Sequence, residues 1–118
     1  MTKNSSGIVG LTKAIEWFSK NDYTISLPLV DSQSYDLVVE KNCKLQTVQV
    51  KYTGYKRVKE YRKIGYYQIA MNKGYTIKSF DYLFIHTVEN VNYLLKVSEI
   101  KNFKCITLYP KYDKYIVS

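Results

Sequence analysis

Two short runs, Tyr35-Asp36-Leu37-Val38-Val39-Glu40 and Val48-Gln49-Val50-Lys51, with a polar turn at Asn42-Cys43-Lys44 between them, restrict this chain most. Each run is rich in β-branched residues and free of proline, so each reads as a strand and the pair as a hairpin. Side chains alternate along a strand, which puts Val48 and Val50 on one face and Gln49 and Lys51 on the other. The apolar face needs cover from another element. The polar face is then left open, with a carboxylate at the start of the first strand and an amide and an ammonium near the end of the second.

Cover is available from the N-terminal segment. Ile8, Leu11, Ile15 and Phe18 fall at i, i+3, i+7 and i+10, one face of a helix. Ser5 or Ser6 is placed to cap that helix, Gly7 to begin its amphipathic part, and Asn21-Asp22 to end it after about Lys20. Tyr23 to Leu29 reads as a strand and Asp31 to Ser34 as a loop. Tyr66 to Met71 is a strand or a short helix, and periodicity leaves both open. A second hairpin runs from Asp81 to Thr87, turns at Glu89-Asn90, and returns from Asn92 to Val97. Ser98 is placed to cap a helical turn before a last strand, Cys105 to Tyr109. A helix, a strand meander, then more strands with minor helices is an α+β or α/β order, with the first helix on the apolar side of the sheet. At 118 residues the expectation is one domain, 1–118, with one core.

The charge balance narrows the partners. Lys and Arg number 18 against 10 Asp and Glu, a net charge of +8, alongside 13 tyrosines. Such an excess points to a polyanion. Nucleic acid fits better than a membrane surface, because no basic helix with a strong apolar face stands out. No run approaches the ~18 apolar residues needed to cross a bilayer. With no apolar stretch after Met1, a cytosolic protein is expected. Cys43 and Cys105 lack metal-ligand spacing and read as free thiols in a reducing compartment. His86 has no nucleophile or acid near it in sequence and reads as structural. Zinc clusters, Gly-rich phosphate loops and catalytic triads are not present.

Asp36, a second oxygen ligand at Gln49 and the ammonium of Lys51, converging on one surface, meet the needs of metal-assisted phosphodiester hydrolysis. Taken alone, the spacing also describes an ordinary polar-faced hairpin. Its surroundings add to it in order: Gly7 and its helix, Asn21-Asp22-Tyr23, Leu27-Pro28-Leu29, the two motif strands with Tyr52-Thr53, then Phe80 to Ile85 and Tyr93 to Val97. From Gly7 to Val97 this series resembles the PD-(D/E)XK nuclease superfamily, with its restriction-endonuclease-like fold. Within it the chain is most similar to small homing-type endonucleases, and more distantly to archaeal Holliday-junction resolvases.

The resemblance implies a mixed central sheet flanked by helices and a Mg²⁺-dependent DNA endonuclease, of a homing, phage or mobile-element kind. It implies Asp36 as principal ligand of Mg²⁺ or Mn²⁺, Gln49 as a neutral ligand where an acid is usual, and the Val50 carbonyl as a third. Lys51 would orient or deprotonate the attacking water and stabilise charge on the phosphate. One such site cuts one strand, so cleavage of double-stranded DNA implies a homo-oligomer, a dimer or tetramer. A DNA-binding module that has lost catalysis and a junction resolvase are the alternatives. The first is motivated by Gln49 and by a further departure: Leu11 stands where related nucleases commonly carry Glu. Glu16 lies roughly 120° from that stripe and is placed to pair with Lys20. Glu40 shares strand parity with Asp36 but sits near the turn. Lys56, Arg57, Lys59, Arg62 and Lys63, interleaved with Tyr55 and Tyr61, are either phosphate contacts or a solvated charged loop.

Overall fold

A computed structural model of the chain describes residues 3–30, 33–54, 56–59, 64–71 and 74–118, with only the backbone described for 3–4, 56–59 and 64–65. Helix α1 spans Lys3–Lys20; the strands are β1 (Thr24–Ser26), β2 (Leu37–Lys41), β3 (Lys44–Thr53), β4 (Lys56–Lys59), β5 (Ile64–Ala70), β6 (Tyr82–Thr87), β7 (Asn92–Lys96), β8 (Cys105–Leu108) and β9 (Ile116–Val117). Six strands form one sheet in the order β1-β2-β3-β6-β7-β9, and the other three form a second in the order β4-β5-β8. β3 and β6 run parallel, with Gln49 opposite Leu83 and Lys51 opposite Ile85. Every other pairing is antiparallel. The expected mixed α/β sheet is therefore present, but as a crossover from β3 to β6 rather than a simple meander.

Both faces of the larger sheet are buried. On one, Ala14 and Phe18 of α1 pack on Leu37, Val39, Val48 and Phe84. On the other, Leu83, Ile85, Tyr93 and Leu95 meet Tyr67 and Ile69 of β5 and Ile106 and Leu108 of β8. Minor helices were expected there. A three-stranded sheet takes that place instead, joined by two 3₁₀ segments, Val97–Glu99 and Pro110–Tyr115. β6, central and covered on both sides, is buried from Leu83 to Thr87, which accounts for the continuous apolar run Leu83-Phe84-Ile85.

Helix α1 differs from its expected frame. It begins at Lys3, so Ser5, Ser6 and Gly7 lie inside it and neither serine is its cap. Its buried centre is Gly10, Ala14 and Phe18, with Leu11, Ile15 and Trp17 beside it, while Ile8 is 65% exposed. The reason is close approach. A Cβ on Gly10 would come within 3.3 Å of Val50 Cγ1 and Tyr52 Cβ, so small residues face β3 and the bulkier ones flank them. The Trp17, Phe18, Tyr23 and Phe84 rings complete this core, with Phe18 edge-on to both Trp17 and Tyr23 at 5.0 Å.

The turns follow the sequence. Asn42 and Cys43 adopt φ of 53° and 63°, the left-handed pair that suits a two-residue hairpin. Asp22 (φ 66°) and Asn90 (φ 63°) end the helix and shape the β6–β7 turn, positions that short polar side chains tolerate. The expected strand Tyr23–Leu29 shrinks to Thr24–Ser26, because β1 has only three partners on β2 before Pro28 ends donor continuity. Of the run Tyr66–Met71, all but Met71 resolves as strand, within β5. Ser98 lies inside its 3₁₀ turn. The Glu99 carboxylate accepts from the Lys96 N–H at 2.7 Å and does the capping instead. Cys43 and Cys105 are free thiols.

Candidate active site

β2 begins at Leu37, one residue after Asp36. The Asp36 N–H donates to the Val48 carbonyl at 2.8 Å, the last main-chain link between the two strands. Beyond it the Asp36 side chain takes over: Val50 N–H donates to Asp36 Oδ2 at 2.8 Å. A carboxylate thus stands in for the next ladder residue, and this sets its position against β3. On the other side of the same residue, Gln49 Nε2 donates to the Val50 carbonyl at 3.2 Å. The peptide groups of Val50 are held by Asp36 at the N–H and by Gln49 at the C=O, and Lys51 follows directly. The three predicted residues are gathered around one turn of β3.

The polar face of β3 is not open, as the strand pattern alone suggests. Gln49 is 7% exposed and Lys51 is half-buried. They share a face with Leu83 and Ile85, their partners on β6, and that face is covered by the second sheet. The Lys51 Nζ lies 5.6 Å from the centroid of the Tyr75 ring, within reach of a cation–π attraction. Tyr75 in turn stands edge-on to the buried Phe80 at 5.3 Å, which fixes the ring.

Asp36 also opens into a cleft of about 340 Å³ formed with Leu11, Leu27, Pro28, Val30 and Tyr35. Leu11 therefore faces the site from α1, where the resemblance in sequence would place a carboxylate. Among the described residues lining the cleft, Asp36 is the one acid. No group of three His, Cys, Asp or Glu side chains suited to a metal occurs among the described residues. Glu16 pairs with Lys20 at 3.6 Å on the solvent side, as expected from their spacing. Glu40 is exposed and sits opposite Leu45, near the hairpin turn.

The oxygen donors near Val50 are one carboxylate, one side-chain amide and one main-chain carbonyl. An all-oxygen set suits a hard cation such as Mg²⁺ or Mn²⁺ and not zinc. Its single negative charge gives little attraction. The Gln49 amide fits this set in one further way. A half-turn exchanges Nε2 and Oε1, which are not distinguished by shape, and brings a second oxygen beside the Val50 carbonyl.

Lys56, Arg57 and Lys59 lie on β4, paired with Tyr67, Tyr66 and Ile64 of β5. Arg62 and Lys63, with Tyr55 and Tyr61, lie outside the described residues. His86 is buried at 4% exposure and its Nδ1 is 2.6 Å from Asn92 Oδ1 across the β6–β7 pair, the structural role expected. Tyr67 of β5 donates to Glu89 Oε1 at 2.5 Å. Burial first, then the hydrogen bond to the Glu89 carboxylate, push the Tyr67 hydroxyl up to about 12. Burial also raises Tyr93, with Asp113 and Glu89 adding to it.

Three positions escaped the sequence reading. Gly10 carried a signal, since a glycine inside a helix costs ~1 kcal/mol against alanine and usually has a packing reason. Tyr75 carried none, because it reaches Lys51 only through tertiary folding. Asp81 accepts from the Thr47 N–H at 2.8 Å and donates its own N–H to the Thr47 carbonyl at 3.0 Å, which starts the parallel β3–β6 ladder.

Comparison with known proteins agrees with this arrangement. The family described as PD-(D/E)XK endonuclease matches residues 1–109. Among solved structures, the chain is similar to a bacterial homing endonuclease, I-Ssp6803I, at 26% identity and a TM-score of 0.77. That match covers 98% of this chain and 87% of the other. No curated protein matches. No helix among the described residues is long and apolar enough to cross a membrane. With a family match over nearly its whole length and the motif residues gathered about Val50, the chain belongs to the PD-(D/E)XK endonuclease family.

Proposed function

We propose that this protein is a Mg²⁺-dependent DNA endonuclease of homing type, with Asp36, Gln49 and Lys51 as its catalytic residues. The observation that carries the reading is the double hold on Val50, by the Asp36 carboxylate at its N–H and the Gln49 amide at its C=O. It brings a carboxylate, an amide and a main-chain carbonyl to one point with Lys51 next in line. Asp36, Gln49 and the Val50 carbonyl would hold Mg²⁺ or Mn²⁺, a type of cofactor that PD-(D/E)XK nucleases generally use. A bound divalent cation polarises a phosphoryl oxygen and lowers the pKa of water. Lys51 then orients the attacking water and stabilises the negative charge that grows on the phosphate. The Tyr75 ring beside it attracts the ammonium and helps to hold it in place.

Double-stranded DNA is the substrate the net charge of +8 suits. The homing role rests on the description of the structural neighbour. Cutting both strands requires two such sites, hence a homo-oligomer, most simply a dimer.

The test is nicking of supercoiled plasmid with Mg²⁺ or Mn²⁺. Asp36→Ala and Lys51→Ala are each expected to slow it by about a hundredfold to ten-thousandfold. One observation favours a second reading, a DNA-binding module with weakened catalysis: Leu11 supplies an apolar side chain where the cleft beside Asp36 would use a carboxylate. Tight, salt-sensitive DNA binding with no nicking at any metal concentration would establish that reading and overturn the first.

A further inference from the structure

Tyr75 also lines a second depression, of about 670 Å³, walled with it by Lys101, Asn102, Phe103 and Lys104. We propose that this groove binds a DNA strand beside the point of cleavage, with Lys101 and Lys104 on its phosphates and the Tyr75 and Phe103 rings against its bases or sugars. The inference rests on the catalytic reading of Lys51 for its place relative to the chemistry, but not for its binding.

Four observations support it. The groove adjoins the candidate site through Tyr75, whose ring centroid lies 5.6 Å from Lys51 Nζ and which itself lines the groove. Its described lining holds two lysines and no acid, so its charge suits a polyanion. Two aromatic rings among lysines form the combination that tracks a strand through phosphates and stacked bases. Finally, the lip is built. The Asn102 side chain accepts from the Lys104 N–H at 2.8 Å, and the Lys104 carbonyl accepts from the Met71 N–H at 3.0 Å, tying residues 101–104 to the end of β5. Gly74, also in the lining, takes φ +92°, a value other residues rarely adopt, just before Tyr75. A volume in the ~300–1,000 Å³ range of ligand sites leaves room for nucleotide units.

The experiment measures binding of a short mixed-sequence DNA duplex, and of one of its single strands, across a salt series by fluorescence anisotropy. The wild type is compared with Lys101→Glu/Lys104→Glu. The control is Lys20→Glu/Lys44→Glu, which changes the charge equally at the helix end and the first hairpin. All four lysines are exposed, so folding should survive. If both groove lysines neutralise phosphates, their removal should flatten the plot of log affinity against log salt by about 1.8. The control pair should leave that slope unchanged. Tyr75→Phe should keep single-strand affinity, and Tyr75→Leu should lower it by about tenfold. Equal slopes and affinities for the groove pair and the control pair would overturn the groove assignment. In that case wild-type nicking of plasmid would leave the nuclease reading intact. A groove-specific loss of binding in a protein that never nicks would uphold the groove and sink the catalysis. A wild type that binds no DNA at low salt overturns both.

Discussion

The two faces of the six-stranded sheet are both dry, yet they are built differently. Against α1 the core cluster is apolar, made of Ala14, Phe18, Leu37, Val39, Val48 and Phe84, with His86 buried beyond Phe84 and held by Asn92. The face toward the second sheet is also lined by apolar residues, but Gln49 and Thr87 are buried on it as well, each with a specific partner. A buried polar group without a partner costs about 1–3 kcal/mol, so such groups persist where they are hydrogen-bonded or put to use. The helix side holds the fold together. The far side carries Lys51, Tyr75 and the groove beyond. Asp36 sits at the margin where both meet, with α1 reaching it through Leu11.

Three substitutions probe this division. Phe84→Ala empties the centre of the helix-side core and should cost about 3–5 kcal/mol in urea unfolding. If the faces are separate, nicking per folded molecule stays near wild type. A much larger loss than the folded fraction explains would break the comparison. Leu11→Glu places a carboxylate in the cleft beside Asp36. It should lower the Mg²⁺ concentration at half-maximal nicking by about tenfold, the ratio that ~1.4 kcal/mol of added attraction gives. It should also reduce stability, because Leu11 packs against the core. An unchanged metal requirement would mean that the metal is not held next to this cleft.

The smallest expected effect is on the far side. Tyr67 is raised from its ordinary value of 10.0 to about 12 when folded. The unfolded chain therefore loses this proton first, so the contribution is complete below pH 10 and fades as pH rises from about 10 to about 12. Tyr67→Phe should flatten that alkaline decline and cost about 1 kcal/mol at neutral pH through the lost Glu89 bond. Unfolding measured against pH for both proteins checks it, and identical alkaline slopes would show that Tyr67 is not the group responsible.

Much of the site was legible in the residues. Strand alternation placed Gln49 and Lys51 together, and the hairpin turn at Asn42-Cys43 was written in residues that accept positive φ. The Glu16–Lys20 pair followed from helical spacing. Local pattern misleads where contacts depend on distant segments. Periodicity chose Ile8 for the core because it cannot weigh how close a helix will come to a strand. The approach of α1 to Val50 and Tyr52 gave that place to Gly10. Alternation also suggested an exposed polar face, since a strand's own pattern does not say whether a second sheet will cover it.

By itself, then, the order of residues determined the local units: the helix, the two hairpins, and an Asp, Gln and Lys set with the spacing of a nuclease motif. These depend on neighbours a few positions apart, through periods of 3.6 and 2. Only the tertiary structure decided that β3 pairs in parallel with β6, which buries Gln49 and turns Lys51 toward Tyr75. It also decided that the Asp36 carboxylate replaces a rung of the ladder at Val50. Those outcomes come from packing and hydrogen-bond closure between segments far apart in sequence, where no local pattern carries the information.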